Sequence, residues 1–134
     1  MGSYRARSGE NETYTLASGA VGNANDMIAI NSSGLAASAT KATGLVVVGL
    51  AEHSFNTANG DTTVTVRQSG GALDFSLVND TVNPVVQATV EETCYILNAT
   101  SVTALSTGSS PAGTVKGLDT GPGFTGNVWV RLTR

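Results

Sequence analysis

Residues 62–78 read TTVTVRQSGGALDFSLV, two short runs in which apolar and polar side chains alternate. Val64 and Val66 share one face of the first run, and three apolar residues share one face of the second, residues 73–78. Alternation with a period of two is typical of strands that are buried on one face only. The link at 69–71, Ser-Gly-Gly, is short and rich in glycine. We therefore predict a β-hairpin of two half-buried strands.

Strand-like runs recur through the rest of the chain, separated by turn-forming glycine, asparagine, serine and proline. Valine and threonine, which favour extended backbone, are frequent in these runs. Several short strands divided by turn residues are typical of a sandwich or a barrel. Further strands are predicted at residues 14–16, 26–31, 45–50, 85–90, 94–97, 102–105, 114–118 and 127–133.

Two of these regions predict finer detail. Residues 98–101, Asn-Ala-Thr-Ser, are expected to form a hairpin loop between the strands on either side. In the last strand, Val128 and Val130 are expected to face the core. Trp129 and Arg131 then lie on the opposite, outward face. A core position for Trp129 is the alternative, because the chain has few large side chains.

The length and composition predict a single small domain. The chain has 134 residues, of which 40% are hydrophobic and 5% aromatic. We expect one compact all-β domain, a β-sandwich or barrel-like fold with a thin aliphatic core, over residues 14–134. Residues 1–13 are polar without periodicity, which predicts a flexible, extended N-terminal arm. Alanine-rich residues 34–43 are the one place where a short helical turn is predicted.

The chain holds few groups that could perform chemistry. It has one histidine, one cysteine and 13% charged residues. Because acid–base catalysis, nucleophilic catalysis and metal binding need such groups, we expect no enzyme, metal site or cofactor. Glu52 and His53 are the best acid–base pair, although adjacent strand residues point to opposite faces. Ser38 and Lys41 match a Ser-x-x-Lys pattern that a serine-rich chain produces by chance.

The charge distribution indicates which classes of partner the protein could bind. A formal net charge of −3 provides no general attraction to nucleic acid. Residues 8–130 hold all ten acidic residues, whereas four of the seven basic residues lie near the chain ends. Basic ends indicate either contact with an acidic protein surface or simple solvation. The longest apolar run, 45–51, is too short to cross a membrane, and lone Cys94 is expected to be buried.

Several segments together resemble the capsid cement proteins of tailed bacteriophages, which are small decoration proteins of the phage head. The resemblance covers roughly residues 26–133. It lies in short strand and turn motifs rather than in catalytic residues. These motifs are Gly-Leu-Ala at 49–51, the alternating valines of 62–68, a strand centred on Tyr95, Val-Thr at 102–103, Ala-Gly-Thr-Val at 112–115 and Val-x-Val-x-Leu at 128–132.

The resemblance implies a structural virion protein on the capsid exterior, made in the host cytoplasm. Such a protein would bind the major capsid protein, bridge its neighbouring subunits and stiffen the head. It would also contact copies of itself, as a homotrimer or homodimer, and touch neither nucleic acid nor a membrane. Aromatic and arginine residues are favoured interface anchors, so the predicted capsid contacts are Tyr4, Arg5, Arg7, Trp129 and Arg131.

Two other classes of function remain open at this point. One is another phage assembly part, such as a tail or fibre module or a carbohydrate-binding adhesin. Sugar binding requires an exposed aromatic platform with polar neighbours, for which Trp129 is available. The other is a small hydrolase built around Glu52 and His53, which requires a nucleophile that no motif marks.

Overall fold

The structure, a computed structural model, describes residues 11–134. The described part consists of strands with two short 3-10 helices and no α-helix, which confirms the predicted all-β class. The 3-10 helices are η1, Thr57–Asn59, and η2, Gln87–Thr89. The strands are β1 Asn11–Thr15, β2 Val21–Gly22, β3 Met27–Ile30, β4 Ala36–Ser38, β5 Val46–Ala51, β6 Phe55–Asn56, β7 Thr63–Arg67, β8 Phe75–Asn79, β9 Thr93–Ile96, β10 Ser101–Thr103, β11 Pro111–Asp119 and β12 Asn127–Leu132.

One half of the fold is a curled sheet. Its five strands are antiparallel in the order β1-β7-β5-β3-β4. The two outer strands meet just beyond β1, where Leu16 forms a parallel bridge with Ala36. The Ala17 N–H donates to the Ala36 carbonyl at 2.8 Å. This contact joins the two edges, and the short β2–β6 pair forms a separate two-stranded sheet.

The other half is a closed barrel with the strand order β10-β8-β12-β11-β9. Its pairs are antiparallel except for β10 and β8, which are parallel. The β9–β10 pair closes the barrel, with Val102 opposite Ile96, and it is the hairpin predicted around residues 98–101. The predicted final strand is also confirmed, because Val128 and Val130 of β12 are fully buried.

The predicted hairpin over residues 62–78 is wrong. The strand β7 pairs with β1 and β5 of the sheet, whereas β8 pairs with β10 and β12 of the barrel. The Ser-Gly-Gly link carries the chain from one half to the other. Ser69 Oγ accepts from the Leu132 N–H at 2.8 Å, and the Gly70 N–H donates to the Arg134 carbonyl at 3.1 Å. These bonds tie the link to the barrel.

Three further local predictions need correction. Residues 85–90 contain η2 instead of a strand. The Thr89 hydroxyl donates to the Val86 carbonyl at 2.8 Å, and this local hydrogen bond competes with the hydrogen bonds to a neighbouring strand that a β-sheet would require. Residues 34–43 contain β4 instead of a helical turn, since small, buried Ala36 fits against β3. Residues 11–13, assigned to the arm, belong to β1 and pair with β7.

Two clusters of buried apolar residues stabilise the two halves. The first lies inside the curled sheet and includes Phe55, Val64 and Val66. The second fills the barrel and also includes Met27 and Val47 from the other face of the sheet. Because one cluster spans both halves, the sheet and the barrel share a core. Burial of this apolar surface is the main contribution to stability.

The turn after β8 is ordered by a buried carboxylate. Asp80 accepts hydrogen bonds from the Val82 N–H at 2.9 Å and from the Thr103 hydroxyl at 2.8 Å. The Val82 amide, followed by the Thr103 hydroxyl, holds the pKa of Asp80 below its ordinary value of 3.8. The ionised carboxylate therefore stabilises the fold above that pH. This stabilisation is lost as the pH falls through the lower folded-state pKa.

We expect Asp80→Asn to lower the Tm at neutral pH by several degrees, because an amide has one acceptor oxygen and a carboxylate has two. The difference from the wild type should shrink as acid protonates Asp80. Thermal unfolding followed by circular dichroism from about pH 2 to pH 7 measures both effects. Asp61→Asn is the control, because Asp61 also accepts a backbone N–H, that of Asn56, but lies exposed at the surface. A difference that stays constant with pH would contradict the assigned role.

Candidate interaction surface

An exposed tryptophan lies on the outer face of the barrel. Trp129 is in β12, where its partners on β8 and β11 are Ser76 and Gly117. Neither partner has a side chain large enough to cover the indole, and Trp129 is 39% exposed. Val128 and Val130 on either side of it are fully buried, which fixes the orientation of the strand and turns the indole outward. The predicted outward position of Trp129 is therefore confirmed, and the core alternative is wrong.

Hydrogen-bonded polar groups lie on the side of Trp129 toward the loop between β11 and β12. Asn127 Nδ2 donates to Ser76 Oγ at 3.1 Å, and Ser76 Oγ donates to Asp119 Oδ2 at 2.6 Å. Asp119 Oδ1 also accepts from the Gly121 N–H at 2.9 Å, so this buried carboxylate fixes the start of the loop. The Asn127 amide and the Ser76 hydroxyl are thus held in place beside the indole.

An ion pair lies on the other side of Trp129. Arg131 Nε donates to Asp74 Oδ1 at 2.8 Å, and the two side chains are 32% and 29% exposed. A pair this exposed contributes little to stability. Its effect is to hold the guanidinium at the surface on the same strand face as the indole. We call Trp129, Arg131, Asp74, Ser76 and Asn127 the Trp129 face.

Four more exposed apolar side chains lie in segments that meet at the loop end of the barrel. Asn79 joins these segments, because its N–H donates to the Gly126 carbonyl at 3.0 Å. Its side-chain amide also bonds to the backbone N–H and carbonyl of Val85, at 2.9 and 2.8 Å. The four residues are Val78, Val82, Val86 and Phe124.

The predicted contact residues fall into two groups. Tyr4, Arg5 and Arg7 lie outside the described residues, so their position relative to the barrel stays a prediction. Trp129 and Arg131 lie on one face, as expected from their spacing of two in a strand.

The sequence did not identify Asp74 and Ser76 as members of this face. The sequence did contain one indication, because the alternation in residues 73–78 places Asp74 and Ser76 on the face opposite the apolar residues. Their neighbourhood with Trp129 depends on the β8–β12 pairing, which local sequence does not encode. No comparable pattern in the sequence indicated that Val82 and Phe124 would be exposed in loops.

Two of the residues considered for catalysis, His53 and Ser38, make structural hydrogen bonds. His53 Nε2 accepts from the Thr65 N–H at 3.2 Å, so Nδ1 carries the proton and donates to the Ser54 carbonyl at 2.9 Å. Both ring nitrogens are therefore bonded to backbone. The Ser38 hydroxyl donates to Asp26 Oδ2 at 3.0 Å and so has a carboxylate as its partner.

The lone cysteine is buried in the barrel, as predicted. Cys94 Sγ lies 3.6 Å from the carbonyl oxygen of Gly113, and burial raises the pKa of the thiol to about 12. Because the thiolate is the reactive form, we expect the folded protein to react with an aromatic disulfide at about pH 8 at least about 100-fold more slowly than the urea-unfolded protein. Absorbance of the released thiolate measures both rates. Equal rates would contradict burial of Cys94.

Neither a metal site nor a membrane helix is found in the described part of the chain. Among residues 11–134, no group of three or more His, Cys, Asp or Glu side chains is placed to hold a metal ion. No helix within the same residues is long and apolar enough to span a membrane.

The fold and this surface define an all-β protein with a closed five-stranded barrel and an exposed aromatic face. No protein-family model matches the chain. Comparisons with curated proteins and with solved structures also found no match. The resemblance to capsid cement proteins therefore stays a prediction from short sequence segments.

Proposed function

We propose that this protein is a structural virion protein that binds the outer surface of a phage capsid and cements neighbouring major capsid subunits. The observation that carries the proposal is the Trp129 face, an exposed indole on a rigid strand beside a positioned arginine. Tryptophan and arginine supply much of the binding free energy in protein interfaces. The strand that bears both residues also belongs to the segments that resemble cement proteins.

The closed barrel favours contact through side chains. A strand that is paired on both sides has no free backbone groups to offer to a partner strand. Binding at the Trp129 face would therefore use the indole, the guanidinium and the flanking amide, without strand addition. In this proposal the protein is a homotrimer or homodimer at local symmetry axes of the shell, where each copy can contact more than one coat subunit.

Sedimentation of the protein with expanded heads tests the proposal. The heads are taken from a phage in which the gene for this chain is deleted, and they are mixed with increasing concentrations of purified protein. We expect saturable binding with a fixed number of copies per coat subunit, and heads that resist heating better when coated. Absence of binding to these heads would overturn the proposal.

A carbohydrate-binding adhesin is the second candidate. The observation in its favour is the hydrogen-bonded Asn127 amide and Ser76 hydroxyl beside the Trp129 indole, since sugar sites combine an aromatic surface with polar groups. A glycan array distinguishes the two candidates. Binding to a defined glycan that is lost in Trp129→Ala would favour the adhesin, whereas a blank array together with head binding would favour the cement protein.

A further inference from the structure

A groove of about 420 Å³ lies on the barrel and shares Arg131 with the Trp129 face. Strands β9, β11 and β12 supply most of its lining, and Gly71 of the link between the two halves supplies one edge. Because Gly71 has no side chain, this edge of the groove stays open. The volume lies in the range of pockets that hold a small ligand, so a single side chain of a partner has room to enter.

Three polar side chains form a row across neighbouring strands in this groove. Thr93 of β9 lies opposite Thr114 of β11, and Thr114 lies opposite Arg131 of β12. Side chains directly opposite each other in paired antiparallel strands share a face, with their Cβ atoms about 5 Å apart. Two hydroxyls and a guanidinium therefore project from the same side of the barrel, and all three residues line the groove.

Most hydrogen-bond donors of this row have no partner within the protein. A guanidinium donates through Nε and through both Nη atoms. Arg131 uses Nε for Asp74 Oδ1, at 2.8 Å. In the part of the chain that the structure describes, neither Nη of Arg131 and neither hydroxyl of Thr93 and Thr114 bonds to another residue. These donors are left for a bound group.

The charge of the lining determines which group fits. Among the lining residues that the structure describes, Arg131 is the one charged residue. A carboxylate accepts two parallel hydrogen bonds from a guanidinium and has further lone pairs for hydroxyl donors. Asp74 already holds one side of the guanidinium, and its negative charge repels a second anion. This repulsion is smaller for a singly charged carboxylate than for a doubly charged phosphate.

We propose that the groove binds an aspartate or glutamate side chain of the major capsid protein. Its carboxylate is held by the Nη atoms of Arg131 and by the hydroxyls of Thr93 and Thr114. The identity of the partner rests on the proposed function, whereas the chemistry of the contact rests on the groove. Arg131 then serves two carboxylates, that of Asp74 through Nε and that of the coat through Nη.

Titration of the isolated, ¹⁵N-labelled protein tests the groove without capsids. The probe is N-acetylglutamic acid α-amide, and the glutamine analogue is its neutral control. We expect saturable NMR shifts at the backbone amides of Thr93 and Thr114 and at Nε–H of Arg131, with a Kd on the order of 10 mM. The glutamine analogue and the variant Arg131→Gln should give none. Absence of saturable shifts at the groove would overturn the proposal, even if the protein binds heads.

Sedimentation with expanded heads tests the partner. Coat carboxylates are converted to neutral methylamides with a carbodiimide and methylamine before the protein is added. We expect wild-type protein to bind the amidated heads at least about 10-fold more weakly than untreated heads, and Arg131→Gln to lose less than about 2-fold. An equal loss for both proteins would overturn the proposal, because the coat carboxylates would then act independently of Arg131.

A double variant separates recognition by Arg131 from the charge that its removal leaves on Asp74. Arg131→Gln combined with Asp74→Asn should bind untreated heads as weakly as Arg131→Gln alone. Recovery to wild-type affinity would overturn the proposal, since repulsion by Asp74 would then explain the loss. Arg67→Gln, which neutralises an exposed arginine on β7, is the matched control and should bind like the wild type. If wild-type protein does not bind untreated heads, the proposed function and the coat partner fail, while the titration still decides carboxylate binding.

Discussion

Gly113→Ala is expected to lower the free energy of unfolding by about 3 kcal/mol or more. Gly113 lies in β11 between β9 and β12, with Cys94 and Leu132 as its partners. A Cβ atom at this position would overlap the carbonyl oxygen of Arg131 and lie 2.8 Å from Leu132 Cα. Both atoms belong to the backbone of the neighbouring strand, so no side-chain rotation relieves the contact. The backbones of β11 and β12 must therefore move apart at this point.

Urea denaturation and thermal unfolding, followed by circular dichroism, measure this effect, and the Tm is expected to fall by roughly 10 °C. Gly126→Ala is the matched control, because a Cβ atom at Gly126 would meet nothing within 4 Å. Its effect should stay within about 0.5 kcal/mol. Wild-type stability of Gly113→Ala would contradict the close approach of β11 and β12.

Trp129→Ala is expected to weaken binding to expanded heads at least about 30-fold, which corresponds to an interface anchor worth about 2 kcal/mol. The effect on stability should be small, because the indole projects from the outer face and is 39% exposed. Sedimentation over a range of protein concentrations measures the affinity, and thermal unfolding verifies the fold.

The control for Trp129→Ala is Val21→Ala, which removes an apolar side chain that is 60% exposed on β2, outside the barrel. Its affinity for heads should equal that of the wild type. Arg131→Lys keeps the charge but loses the planar guanidinium that pairs with Asp74, so an intermediate loss is expected. If Trp129→Ala bound heads as tightly as the wild type, the Trp129 face would be excluded as the capsid contact.

The strands and their buried faces were largely predictable from sequence. Alternation indicates which side chains share a face of a strand. Val64 and Val66 were therefore correctly assigned to the buried face of β7, and Val128 and Val130 to the buried face of β12. The outward direction of Trp129 follows from the same rule. These predictions depend only on residues two apart, which is why they hold without knowledge of the partner strands.

Strand pairing was less accessible from sequence. The link at residues 69–71 has the composition of a hairpin turn, yet β7 and β8 belong to different halves, because Val66 packs in the sheet cluster and Leu77 in the barrel cluster. Local sequence cannot distinguish a turn from a crossing when both need flexible glycine. The exposure of Trp129 likewise depends on small partners from distant segments, Ser76 and Gly117.

A cryo-electron microscopy reconstruction of expanded heads incubated with this protein tests the proposed function most directly. We predict ordered density on the outer surface, at symmetry-related positions that bridge neighbouring coat subunits, with the Trp129 face of the barrel against the coat. A reconstruction with a bare outer surface, at a protein concentration that saturates any site of micromolar affinity, would contradict the proposal.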